Sequence, residues 1–190
     1  MNHSERLAEE FEKLGPWIYQ FQIGGQTCGG AISAAGDERV ERFFQYAPNP
    51  RTILELGSLE GAQSFILAEH PGVERVVALE GREANLRKAR FVQTLLQIRN
   101  VEFIRANLET ADLTAFGKFD AIFCCGLLYH LPEPWKLLAQ LPAVAPLLLS
   151  GRNTAPRTRP ATSGTACAVK RTSKAARTNR SAECPRPRSG

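Results

Sequence analysis

Between Arg51 and Ser150 short apolar runs alternate with stretches of helical composition, and this constrains the chain more than any other feature. The runs are TILEL, ERVVALE, NVEFIRA and FDAIFCC, with PLLL at 146–149 as the start of a fifth. They are near-continuously apolar, as expected of strands covered on both faces. GAQSFILAEH, REANLRKARFVQTLLQIR and PEPWKLLAQL lie between them, each able to supply a right-handed crossover between parallel strands. The expected fold is α/β, a doubly wound, mostly parallel sheet. No repeat or heptad series points to a solenoid or a coiled coil.

The ends differ from this middle. In SERLAEEFEKLG, Leu7, Phe11 and Leu14 share a helical face, with Ser4 as a possible cap and Gly15-Pro16 as the stop. In DERVERFFQY, Val40, Phe43 and Phe44 share a face ahead of Pro48 and Pro50. Three parts follow: a helical arm or cover over 1–50, an α/β core over 51–150 and a tail over 151–190. The tail holds ten of the 24 Lys and Arg and one of the 19 acids, a net +9 that leaves −4 on the first 150 residues. It contains no Leu, Ile, Phe, Tyr, Trp or Met, so it is expected to be disordered, with nonspecific, salt-sensitive contact to nucleic acid as one use.

Several classes are disfavoured. The longest apolar run, AIFCCGLLY at 121–129, is too short for a bilayer, and no charged start leads into an apolar stretch, so a soluble, cytoplasmic protein without a membrane partner is expected. Five cysteines without a CxxC pair give no zinc spacing and no disulfide framework, and Cys124 and Cys125 read as strand packing.

In an open parallel sheet a ligand lies beyond the C-terminal ends of the strands. The first strand exits through ILELGSLEGAQSF, where Gly57 ends the strand and Gly61 opens the helix. GSLEGA satisfies neither G-x-G-x-x-G, because position 59 is Leu, nor the phosphate loop, because no Lys follows, so pyrophosphate binding is disfavoured. Glu80 ends VVALE 23 residues after Gly57, where a carboxylate can accept both hydroxyls of a ribose. Adenosine without a large phosphate fits both signals.

On these residues the chain resembles the class I S-adenosylmethionine-dependent methyltransferases, whose first motif is an acid, one residue, then a Gly-rich turn, as in Glu55-Leu56-Gly57 to Gly61. The likeness covers about residues 16–149. It implies S-adenosyl-L-methionine as cofactor, with Gly57, Ser58 and Gly61 holding the methionine moiety and Glu55 supporting the loop. It also implies Glu80, followed by Gly81, on the ribose and Asn107-Leu108 toward adenine, Asn standing where an acid is usual. The fourth strand's exit, CCGLLYHLPEPWKLL, resembles from Gly126 onward a G-x-L-Y-H-L-x-x-P-W segment of bacterial small-molecule and RNA-modifying members, so either acceptor class is implied.

Methyl transfer from a sulfonium is an in-line displacement that alignment and exclusion of water can largely catalyse. Tyr129 and His130 can orient or deprotonate an acceptor or simply pack, so no catalytic residue is assigned. The family's sheet ends in an antiparallel hairpin that 151–190 shows no pattern for. The abrupt change of composition after APLLLS reads as a truncated or frame-shifted end, with an exposed sheet edge, low stability and possible loss of activity as expected results. Two alternatives stand beside the methyltransferase: a nicotinamide-dependent oxidoreductase with a degenerate fingerprint, and a non-catalytic module using the basic tail on nucleic acid.

Overall fold

A computed structural model describes residues 2–151 and 167–170. Helix α1 (His3–Lys13) is opened not by Ser4 but by Asn2. The Asn2 side chain accepts from Glu5 N at 2.8 Å, and the Glu5 carboxylate accepts from Asn2 N at 2.8 Å. Strands β1 (Tyr19–Ile23), β2 (Gln26–Gly29) and β3 (Ile32–Ser33) then form a small sheet before helix α2 (Glu38–Tyr46). The helical arm expected over 1–50 is therefore corrected to two helices flanking a sheet. The physical reason is legible: Tyr19, Phe21 and Ile23 are buried while Gln20 and Gln22 are not, a period of two. Gly24 and Gly25, with φ of 55° and 82°, make the two-residue turn that right-twisted strands favour.

From Thr52 the expected alternation is observed: β4 (Thr52–Leu56), α3 (Ala62–Glu69), β5 (Arg75–Glu80), α4 (Glu83–Leu96), β6 (Val101–Arg105), β7 (Ala121–Cys125), α5 (Pro134–Val144) and β8 (Leu147–Gly151). Strands β4 to β8 run parallel, and β9 (Cys167–Lys170) adds antiparallel to β8, giving the order β6-β5-β4-β7-β8-β9. This is the doubly wound, mostly parallel Rossmann-like sheet that the sequence predicts. Successive side chains leave opposite faces. Ile53, Val76 and Ala78 join a core with α1–α4 and β1, whereas Leu54, Leu56, Val77 and Leu79 join one with α5.

Strand β9 corrects the expectation of a tail without any strand. CAVK belongs to the least polar stretch of the tail, and the open edge of β8 offers unpaired backbone groups to whatever segment returns to it. The disorder expected for the rest of 151–190 lies outside the described residues. So does the second strand of the hairpin expected to be missing.

Aromatic rings join the N-terminal unit to the core: Phe11 meets Phe91 at 5.2 Å between centroids, Phe21 meets Phe65 at 6.3 Å, and Phe43 meets Phe123 at 5.6 Å. Among the described residues, no helix is long and apolar enough to cross a membrane, and no three His, Cys, Asp or Glu gather as metal ligands.

Candidate cofactor site

Where β4 ends, the chain turns across its neighbour. The N–H groups of Gly57 and Ser58 both donate to the Leu79 carbonyl, at 2.9 and 3.1 Å, and Gly61 N closes the loop onto the Ser58 carbonyl at 2.8 Å. Two glycines are required. Gly57 has φ +81°, and a Cβ there would stand 3.2 Å from the flexible Leu127 side chain. Gly61 caps α3 at φ +83°, and its Cβ would stand 2.8 Å from the Phe103 ring and 3.1 Å from both Ala89 and Phe65. Leu59, where a third glycine is common, keeps a left-handed backbone with φ 51°. For a non-glycine residue that conformation costs about 1–2 kcal/mol.

The bond that holds Leu59 comes from the expected ribose acid. Glu80, at the end of β5 and 7% exposed, accepts from Leu59 N through Oε2 at 2.9 Å and from Arg82 N through Oε1 at 2.8 Å. Glu55 is buried beneath the loop and accepts from the Ser64 hydroxyl of α3. Burial pushes its carboxyl up to about 7, with the Glu80 charge adding to the rise, while the Ser64 bond and the Arg39 charge oppose it. Ser58 is wholly buried, and its hydroxyl finds no partner among the described residues. A buried polar group normally has one, so this hydroxyl suits a polar ligand held by the loop.

The other expected residues follow the same edge of the sheet. Ala106 N donates to the Glu80 carbonyl at 3.0 Å, which brings the turn after β6 beside β5. In that turn Asn107 holds its own loop, Oδ1 accepting from Glu109 N at 3.1 Å and its carbonyl from Ala111 N at 2.8 Å, and Leu108 is buried. Gly126 follows β7 with φ +78° and donates to the Gly151 carbonyl at 2.9 Å. A Cβ on Gly81 would meet nothing nearer than the Ala106 carbonyl at 3.6 Å, so sterics do not demand glycine there. Tyr129 and His130 are both exposed, with ring centroids 4.3 Å apart.

Sequence reasoning missed the polar groups that fasten this loop from behind. Glu60, 1% exposed, accepts from Ile18 N, from Tyr19 N at 2.9 Å and from Lys88 Nζ at 2.9 Å. Gln63 donates to the Tyr19 hydroxyl at 2.7 Å and to Asp37 at 3.1 Å, and Asp37 pairs with Arg39. The available signal was local: a helix as apolar as AQSFILA buries Gln63 and Ser64, and buried polar side chains require partners. Which partners they take was not legible, because Tyr19 and Asp37 stand 44 and 26 residues from Gln63. A surface recess of about 820 Å³ between α1 and β2, lined by Phe11, Trp17 and Cys28 among others, shares no residue with the loop.

Three solved structures illustrate the likeness. The N-terminal domain of EvdMO1 with SAH bound is 37% identical, with a TM-score of 0.71 over 79% of this chain and 65% of that one. The same domain in the presence of SAH and D-fucose is 38% identical, with a TM-score of 0.70 over 79% of this chain and 64% of that one. This chain therefore spans a little under two thirds of those domains. A SAM-dependent methyltransferase from Aquifex aeolicus, 19% identical with a TM-score of 0.51 over 63% of this chain and 69% of that one, shares the fold. A search of curated proteins finds no match. The family model described as a methyltransferase domain matches residues 50–146, just over half of the 190 residues and the whole of the loop and strand edge above, so the chain belongs to the methyltransferase-domain family.

Proposed function

We propose that this chain binds S-adenosyl-L-methionine along the Gly57–Gly61 loop and belongs to an enzyme that transfers the sulfonium methyl group to a small hydroxyl-bearing acceptor. The observation that carries the reading is the joining of loop and acid: Leu59 N meets the Glu80 carboxylate at 2.9 Å while the buried Ser58 hydroxyl has no partner among the described residues. A carboxylate has about four acceptor positions, so Glu80 keeps capacity for ribose hydroxyls beside its two amide donors. Gly57, Ser58 and Gly61 would hold the methionyl portion, Asn107 and Leu108 would face the adenine, and Gly81 and Gly126 would border the nucleoside. The bound cofactor supplies an electrophilic methyl, and the chain aligns it and excludes water. No side chain is assigned a proton to move.

The acceptor class rests on a relative: the 38% identical domain was crystallised in the presence of SAH and D-fucose, which favours a sugar hydroxyl over RNA. Calorimetric titration of the chain with S-adenosylhomocysteine tests the cofactor reading, with NAD as control. Micromolar binding of the first and none of the second is expected. Tighter binding of the nicotinamide cofactor would overturn it.

A further inference from the structure

Two side chains on either side of Gly61 turn away from the loop and into the N-terminal unit. Glu60 takes the Ile18 and Tyr19 amides of the β1 edge and is closed on its other side by Lys88 of α4. Lys88 also donates to the Pro16 carbonyl and stands 5.0 Å from the centre of the Trp17 ring. Gln63 holds the hydroxyl of the same Tyr19 and the Asp37 carboxylate that caps α2. Tyr19 is thus gripped at its backbone by one residue and at its ring hydroxyl by the other.

We propose that Glu60, seated by Lys88, is a positioning residue that registers the N-terminal unit on the cofactor loop, so that an occupied loop and the residues of β1 stiffen as one body. The inference rests on the reading of the loop as the cofactor site. The physical case begins with the chemistry of the pair. Lys88 and Glu60 are 9% and 1% exposed at their side chains. Two apolar residues of similar volume would often stabilise such a place as well or better, because removing two charges from water is costly. An ion pair does what an apolar pair does not: its directional bonds select particular amides, here those of residues 18 and 19. The geometry also makes the path short. Glu60 follows Leu59, whose N–H rests on Glu80, so the proposed ribose acid and the N-terminal unit are joined through adjacent residues of one loop. At the far end of the loop Gly61 leaves no room even for a Cβ, which would stand 2.8 Å from the Phe103 ring and 3.1 Å from Ala89 and Phe65.

The test is hydrogen exchange of the full chain with and without S-adenosylhomocysteine, in the native sequence and in Glu60→Leu/Lys88→Met. That double variant removes both charges together, leaving no buried ion unpaired. In the native chain the ligand should slow exchange at 57–61 and at Ile18–Tyr19, each at least about fivefold. In the variant the ligand should still bind and still slow 57–61, while its effect at Ile18–Tyr19 disappears. A merely structural role would loosen residues 18–19 equally with and without ligand. Glu60→Asp, which keeps the charge and withdraws it by one methylene, carries the same expectation should the double variant not fold. Undiminished protection of Ile18–Tyr19 in a ligand-binding variant would overturn the proposal alone, as would binding to the native chain that protects only 57–61. Failure of the native chain to bind would overturn the cofactor reading and this proposal with it.

Discussion

Replacing Glu55 by Gln should make the protein more stable at neutral pH, because it removes a buried ionisable group and keeps an acceptor for its hydrogen bond. Glu55 is 2% exposed and accepts from the Ser64 hydroxyl, which a Gln carbonyl of the same shape can also do. Its carboxyl lies at about 7 instead of the usual 4.5 because burial penalises the ionised form and Glu80 adds repulsion that Arg39 only partly offsets. A carboxyl raised on folding favours the native state while protonated. Its contribution is fully present below about 4.5 and is lost as pH rises through about 7. A rise of that size corresponds to about 3 kcal/mol, a large share of the 5–15 kcal/mol typical of a domain. Urea unfolding of the native chain and Glu55→Gln at pH 4, 6 and 8 reads this directly. The stability difference should move toward the variant by about 3 kcal/mol across the range, with equal m-values. Parallel stability curves, or a variant that loses ground as pH rises, would refute the burial argument and mean that Glu55 is ionised and stabilised in the fold.

Gly61→Ala combines a left-handed φ with a Cβ 2.8 Å from the Phe103 ring, so a loss of about 2–5 kcal/mol is expected by urea unfolding. Gly57→Ala meets only the flexible Leu127 side chain, so its loss should be nearer 1–2 kcal/mol, with the larger effect on S-adenosylhomocysteine affinity in calorimetry. Glu80→Gln should weaken that affinity at least about tenfold, the loss of a charged hydrogen-bond acceptor, and should lower the pH at which Glu55 titrates by removing its neighbour's charge. Phe43→Ala empties a site that is 0% exposed beside Phe123 and should cost about 3–5 kcal/mol of stability by urea unfolding.

The sequence by itself determined the strand edge and the order of its parts. TILEL became β4 residue for residue, and the other apolar runs became strands, with an α-helix between each successive pair except β6 and β7, because burial on both faces leaves a continuous apolar signature that needs no knowledge of partners. The Gly57 to Gly61 turn and Glu80 were legible for a similar reason: a tight turn and a strand-end acid are local properties. The hairpin in the N-terminal segment was also written locally, in alternating YQFQI and the Gly-Gly turn, and was obscured by the stronger helical periodicity on either side.

Tertiary structure alone decided everything that depends on long-range pairing. Glu60 reads as one more acid in a loop, and only the approach of Lys88, 28 residues on, and of the Tyr19 and Ile18 amides 41 and 42 residues earlier makes it a buried fastening. Glu55 acquires its raised carboxyl from burial in the assembled sheet and from the charge of Glu80, 25 residues on. The pairing of β9 with β8 shows the same division, since CAVK carries little strand pattern and the unpaired edge of β8 supplies what that segment lacks. Local periodicity is a property of adjacent residues, whereas the partner of a buried polar group is fixed only when the sheet brings distant segments together.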